Sequence, residues 1–258
     1  MSLSDLIDVL PRDYVLKIAD KKPELIDWTD LSKRFELPEA FIEKHADKVD
    51  WNNISSFQNL SESFIEKHQD KVNWRLISAK QELSESFIDR HVDKVDWYYI
   101  TSYQKLSDRL IEKYKDKVNW YIISLYHKLS IPFVEKYKNK LDWKAISQRE
   151  DLTESFIERY KDLLDLDYIT KNNKLSELFI ERNKDDLNWV LISRNQKLSE
   201  KFIERHKDEV DWDEISMYQK LSEKFIEKHK DLINWEYILK YQKLSDEFKK
   251  KYVGMLYK

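Results

Sequence analysis

All nine tryptophans of the chain fall on one lattice with a spacing of 23 residues: Trp28, Trp51, Trp74, Trp97, Trp120, Trp143, Trp189, Trp212 and Trp235. Leu166 fills the one lattice point that lacks an indole. A fixed period of this size marks a repeat array, in which one supersecondary unit is copied and stacked on its neighbours. That constrains the fold more tightly than any residue-by-residue propensity.

Each copy carries two helix starts. The residue before each lattice point is Asp or Asn, from Asp27 and Asp50 through Asn234. Such residues cap a helix by accepting an orphan backbone N–H. A second start follows Ser61, Ser84, Ser107, Ser130, Thr153, Ser176, Ser199, Ser222 and Ser245, with Pro11 and Pro38 at the same slot earlier in the chain. Glu or Asp usually comes next, where it favours the positive end of the helix dipole. The spacing predicts helices of about 8 and about 11 residues, too short to persist alone in water, so stacking must stabilise them. Caps replace glycine as punctuation, since Gly254 is the only glycine. The expected architecture is an all-α solenoid of 23-residue helix-turn-helix repeats. It has an atypical N-terminal cap over 1–27, tandem repeats over 28–243 and a capping helix over 244–258.

Apolar spacing assigns the faces. At 3.6 residues per turn, Trp51, Ile54, Ser55 and Gln58 share one side of the first helix, and Phe64, Ile65, His68 and Val72 share one side of the second. The link carries Leu60, and its equivalents are Leu throughout, from Leu37 to Leu244. Burying one Trp removes about 150–250 Å² from water, worth roughly 4–6 kcal/mol at most. The outer side of the second helix, with Glu66, Lys67 and Asp70, reads as a solvated charged surface. One repeat departs from the pattern. Glu150 and Asn173 stand in the Gln58 slot, Leu163 replaces Lys71 and Leu166 replaces Trp, so the soft joint or bend of the array is expected there.

Composition narrows the function classes. Aromatics make up 14% of the chain and net charge is -3, so disorder is disfavoured and no global basic field attracts nucleic acid or an anionic membrane. There is no cysteine, which removes disulfides, thiol catalysis and thiolate metal sites. The first residues lack a basic and apolar leader, and no run of about 20 apolar residues exists, so an intracellular compartment without membrane insertion is expected. No glycine-rich phosphate loop or recognisable nucleophile motif appears, and the expectation is a non-enzyme without catalytic, cofactor or metal residues. His45, His68, His91, His206 and His229 share one lattice slot with Tyr114, Tyr137, Tyr160 and Tyr252, which favours aromatic packing over metal binding. Gln58, Gln81, Gln104, Gln196, Gln219 and Gln242 form a second ladder, whose amides should stitch repeats or bond nearby backbone.

The skeleton W-x-x-I-S-x-x-Q-x-L-S-x-x-F-I-E-K, running from Trp28 to Tyr252, resembles short tandem helical repeats of proteins from large DNA viruses, phages and some bacteria. The resemblance implies a repeat protein that acts by binding, plausibly virus- or phage-borne, and carries over no catalytic residue.

Positions that vary on a constant skeleton are where a repeat protein presents a binding surface. In the first helix these lie one, two, five and six residues after the Trp. They include Tyr98, Tyr99, Tyr103, Tyr121, Ile122, Leu125 and Tyr126, and later Met217, Tyr218, Tyr237 and Tyr241. Tyrosine offers large contact area with a polar tip and few rotors. The same rings can instead pack between neighbouring helices. The leading expectation is a scaffold that binds another protein in the cytoplasm, the host's if the chain is viral. The alternative is a helical-repeat RNA binder, which the acidic balance and the scattered Arg75, Lys80, Lys144, Arg149, Lys171, Arg194 and Lys240 disfavour.

Overall fold

A computed structural model describes residues 10–254. Among them are 21 α-helices and no strand. Ten lead helices begin at the lattice points: seven residues is the usual length, as in Trp51–Phe57, Trp74–Lys80 and Trp97–Tyr103. Between them lie second helices of six or seven residues, such as Glu62–Lys67 and Ile131–Tyr137. The solenoid expected from the lattice is the fold. The second helices are shorter than expected because His68 leaves the helix at φ -109°, and its carbonyl accepts from Lys71 and Val72 in a following turn.

The caps act as read. Asp50 Oδ1 accepts the N–H of both Asn52 and Asn53 at 2.9 Å, and Ser61 Oγ accepts that of Phe64 at 3.2 Å. Lead helices end when the Gln-slot residue turns extended, with Gln58 at φ -97° and ψ 145°. No described residue has positive φ. A chain that ends its helices this way has no left-handed site to fill, which explains how it manages with one glycine.

The core runs between repeats. Ile65, Val72, Ile77 and Phe87 form one buried cluster, lined by Trp51, Leu60, Trp74 and Leu83, so two successive repeats contribute to it. No repeat holds a core of its own, as expected of a quasi-one-dimensional fold. The tryptophans are less buried than expected: all but Trp235 are half-buried, while Ile54, Ile77 and Ile100 are fully enclosed. Each indole lies along the rim. Trp51 Nε1 donates to the Ala46 carbonyl at 3.0 Å, and Lys71 Nζ sits 5.7 Å from its ring centroid.

The chain divides into two compact units at Lys140/Leu141. Lead helices pack side by side within each, from Trp28–Arg34 to Trp120–Tyr126 in the first and from Trp143–Ser147 to Trp235–Tyr241 in the second. The first unit opens with the helix Arg12–Lys21, whose Val15 and Ala19 enter the core; residues 1–9 and 255–258 of the expected caps lie outside the described range. The division falls beside the repeat that the sequence marks as irregular. There the lead helix shrinks to Trp143–Ser147, Arg149 makes a paired salt bridge to Asp151, and Glu150 is exposed. Among the described residues no helix is long and apolar enough to cross a membrane.

Candidate interaction face

Each lead helix has a joint side and an outward side. On the joint side, every polar group that recurs has a partner in a neighbouring repeat. Gln81 Nε2 donates to the carbonyls of Ser55 (3.1 Å) and Gln58 (2.8 Å), and its Oε1 accepts from Leu60 N at 3.0 Å. Gln58, Gln104, Gln196, Gln219 and Gln242 repeat this pattern, so the amide ladder stitches repeats together. Asn173, one methylene shorter, reaches only the Arg149 carbonyl and Leu152 N.

Two further ladders escaped the sequence reading. Ser55 Oγ donates to the Trp51 carbonyl at 2.6 Å and accepts at 2.9 Å from the N–H of Asn73, the cap of the next lead helix. Glu62, read as a dipole partner, accepts Ser84 N of the next repeat at 2.6 Å. The breaks in these columns carried the signal. The final lattice unit has Leu239 in the serine slot, and so offers no hydroxyl acceptor onward.

The histidine slot is a joint as well. His68 lies between Trp51 and Phe64, with ring centroids at 5.0 and 4.5 Å. Its Nε2 is 2.7 Å from Glu43 Oε2 of the preceding repeat, and Lys67 takes the other oxygen at 3.0 Å. Those bonds, to Lys67 first and His68 second, hold the Glu43 carboxyl below its usual range. His45, His206 and His229 do the same with Asp20, Glu181 and Glu204, and the Tyr114 hydroxyl donates to Asp89. His91 is the exception: its Nε2 is 3.7 Å from Glu66 and lacks a hydrogen-bond partner, and burial lowers its pKa. Among the described residues no three His, Asp or Glu side chains gather as a metal site.

The outward side behaves differently. Tyr98 (57% exposed), Tyr103 (65%), Tyr121 (48%) and Tyr126 (71%) lie open on two adjacent lead helices. Tyr99 is half-buried. It stacks on Tyr103 at 6.1 Å, and its hydroxyl accepts from Arg75 Nε and Nη2, which raises the guanidinium pKa. Ile122 is buried at 7% and belongs to the packing, not to an open face, and Leu125 is half-buried. In the second unit Tyr218 and Tyr241 are exposed, and Met217 and Tyr237 are half-buried. Arg194 lies over the Tyr218 ring at 5.1 Å and Lys240 over that of Tyr241 at 5.1 Å. Phe57, 53% exposed, was missed, although it sits six residues after its Trp, in the same column as Tyr103 and Tyr126.

Comparison with protein-family models, with curated proteins and with solved structures returns no match for this chain.

Proposed function

We propose that this chain is a non-enzymatic repeat scaffold that binds another protein through the outward side of its lead helices, centred on residues 97–126. One observation carries this reading: four tyrosines stand open on adjacent helices whose recurrent polar groups are already engaged in joints. Exposed aromatic patches mark interaction sites, and binding energy concentrates in a few Tyr, Trp and Arg anchors. The histidines and their carboxylates serve cohesion here, which favours binding over catalysis as the activity. An intracellular factor that blocks a host protein is the sharper form of the proposal, and it rests on the resemblance of the repeat skeleton alone.

The test uses the full chain and the double variant Tyr103→Ala/Tyr126→Ala, comparing crosslinked capture from lysate with melting temperature. Loss of capture at unchanged melting supports a docking face. Equal capture by both proteins removes residues 97–126 as the site, and collapsed melting assigns the rings to packing.

A further inference from the structure

We infer that the partner segment received by the first unit is acidic: an extended polypeptide in which Asp or Glu alternates with apolar side chains. This rests on the binding role proposed above and adds the chemistry of what is bound. The positions one and six residues after each Trp, from Trp28 to Trp120, are all exposed. Five of those ten are aromatic rings, three are Arg34, Arg75 and Lys80, and none is Asp or Glu. One carboxylate, Asp30, lies on the neighbouring column, and Arg34 already holds it at 2.7 Å. In a chain with 49 acidic residues against 46 Lys and Arg, this side of the first unit is a local reversal of charge.

The lattice does not impose that reversal. The same columns of the second unit carry Asp167, Asp213 and Glu236. Nor do the lead helices require it for folding, because these positions take no part in the joint ladders. Cation and ring are also built into one surface across repeats: Lys33 Nζ lies 5.8 Å from the Phe57 centroid, and the Arg75 guanidinium lies 5.1 Å from that of Tyr99. A ligand that lays carboxylates on the cations and apolar groups on the rings matches both features, and charge complementarity selects it against neutral or basic segments.

A phosphate backbone fits less well. The N-terminal ends of these helices, which otherwise attract phosphate, are already capped: carboxylates fill three of the five, where Asp27, Asp50 and Asp96 accept backbone N–H, and the amides of Asn73 and Asn119 fill the other two. A strand with a charge on every nucleotide would run against that acidic rim, whereas a peptide can space its carboxylates to meet the cations alone.

The experiment is fluorescence anisotropy on the full chain with three labelled probes: a peptide of repeated Glu-Leu-Asp-Phe units, the same peptide with Lys for each acid, and an oligothymidylate. The acidic peptide should bind, the basic one should not, and binding should weaken about tenfold between low and high salt. Arg75→Gln/Lys80→Gln should weaken the acidic peptide about tenfold or more while lowering the melting temperature by no more than the few degrees that loss of the Arg75–Tyr99 contact accounts for, whereas Lys144→Gln in the second unit should leave peptide binding unchanged. Equal binding of both peptides, no binding of the acidic one, or tighter binding of the oligonucleotide each overturns the inference. If the lysate partner still depends on Tyr103 and Tyr126 while the acidic peptide is ignored, the docking face stands and the acidic chemistry falls.

Discussion

The two sides of a single lead helix obey different rules. On the joint side of Trp74–Lys80, Ile77 and Ser78 are fully buried and the next residue, Gln81, reaches into the preceding repeat. On the outward side, Arg75 and Lys80 are exposed, and the same slots elsewhere hold Asn, Tyr, Val or Asp. Burial alone does not separate the sides: Trp51 is half-exposed yet recurs, while Ile122 is buried and does not recur. What recurs is the group with an obligatory partner set by repeat geometry. Backbone groups buried at a joint must find hydrogen bonds, and only one side chain of the right reach supplies them.

The largest expected effect breaks the joint. Gln81→Leu keeps the volume and removes three hydrogen bonds, stranding the Ser55 and Gln58 carbonyls and Leu60 N. At about 1–3 kcal/mol for each orphaned buried group, the loss should reach roughly 3–9 kcal/mol in a denaturant titration. Gln81→Asn, copying the shorter reach of Asn173, should cost less, because it can keep part of the pattern. Equal losses from both variants would show that packing, not reach, sets this column.

A smaller effect of opposite sign is expected in the second unit. Leu166 and Asn183 replace the Trp and the His or Tyr of the ring sandwich, leaving Phe179 alone in its slot. Asn183 keeps the carboxylate contact, with Nδ2 3.0 Å from Glu158. Leu166→Trp with Asn183→His rebuilds the stack that Trp189, Phe202 and His206 make one repeat on. An aromatic pair adds about 0.5–1.5 kcal/mol beyond area burial, so the double variant should gain about 1 kcal/mol, and each single variant less.

Much of this was legible in the chain itself. The lattice, the Asp and Ser caps, the glutamine stitch and the ring slot all follow from periodicity and side-chain chemistry. What stayed hidden was which repeat each partner belongs to. A column of Glu next to a Ser cap reads equally as a dipole partner of its own helix or as an acceptor for the next one. Only the bond from Ser84 N to Glu62, 22 residues back, decides it. The tryptophans misled for a related reason: a large invariant aromatic suggests full burial, but its Nε1 needs a carbonyl and keeps the indole at the rim. The tyrosine columns were visible as variation. Their exposure was not, because Tyr98 and Ile122 occupy equally variable positions and differ only in which way the helix turns them.

Acid should separate the histidine joints from one another. Burial, opposed by Glu66 and reinforced by Arg90 and Lys94, holds the His91 imidazole below its ordinary value of 6.5. The unfolded chain then takes up this proton first, so the contribution is complete above about pH 6.5 and is lost as pH falls through the folded value. The carboxyls of Glu43, Glu181 and Glu204 are also held low, by Lys67, His206 and Lys228 foremost. Their contribution persists to lower pH and disappears below about 4.5, as they protonate. His91→Tyr places in this slot the hydroxyl that Tyr114 uses toward Asp89. Melting temperature followed from pH 8 to pH 3 should lose its upper descending limb in that variant and keep the lower one. Superimposable curves would mean that His91 is not the group titrating there.

The smallest effect is the one that most sharpens the comparison of joint and face. Tyr103 and Tyr126 lie on the outward side, largely exposed, and their hydroxyls take no part in the amide, serine or carboxylate ladders. Truncating either to Ala should move stability by less than about 0.5 kcal/mol, as at other solvated positions. Tyr99, on the same helix as Tyr103, gives the internal control. Arg75 of the preceding repeat bonds its hydroxyl at 2.7 Å and covers its ring, so Tyr99→Ala should cost about 1 kcal/mol. Measured together by denaturant titration, the three variants place the border between cohesion and display within one helix. A loss at Tyr103 equal to that at Tyr99 would move the border outward, and the open face would shrink to Tyr98, Tyr121 and Tyr126.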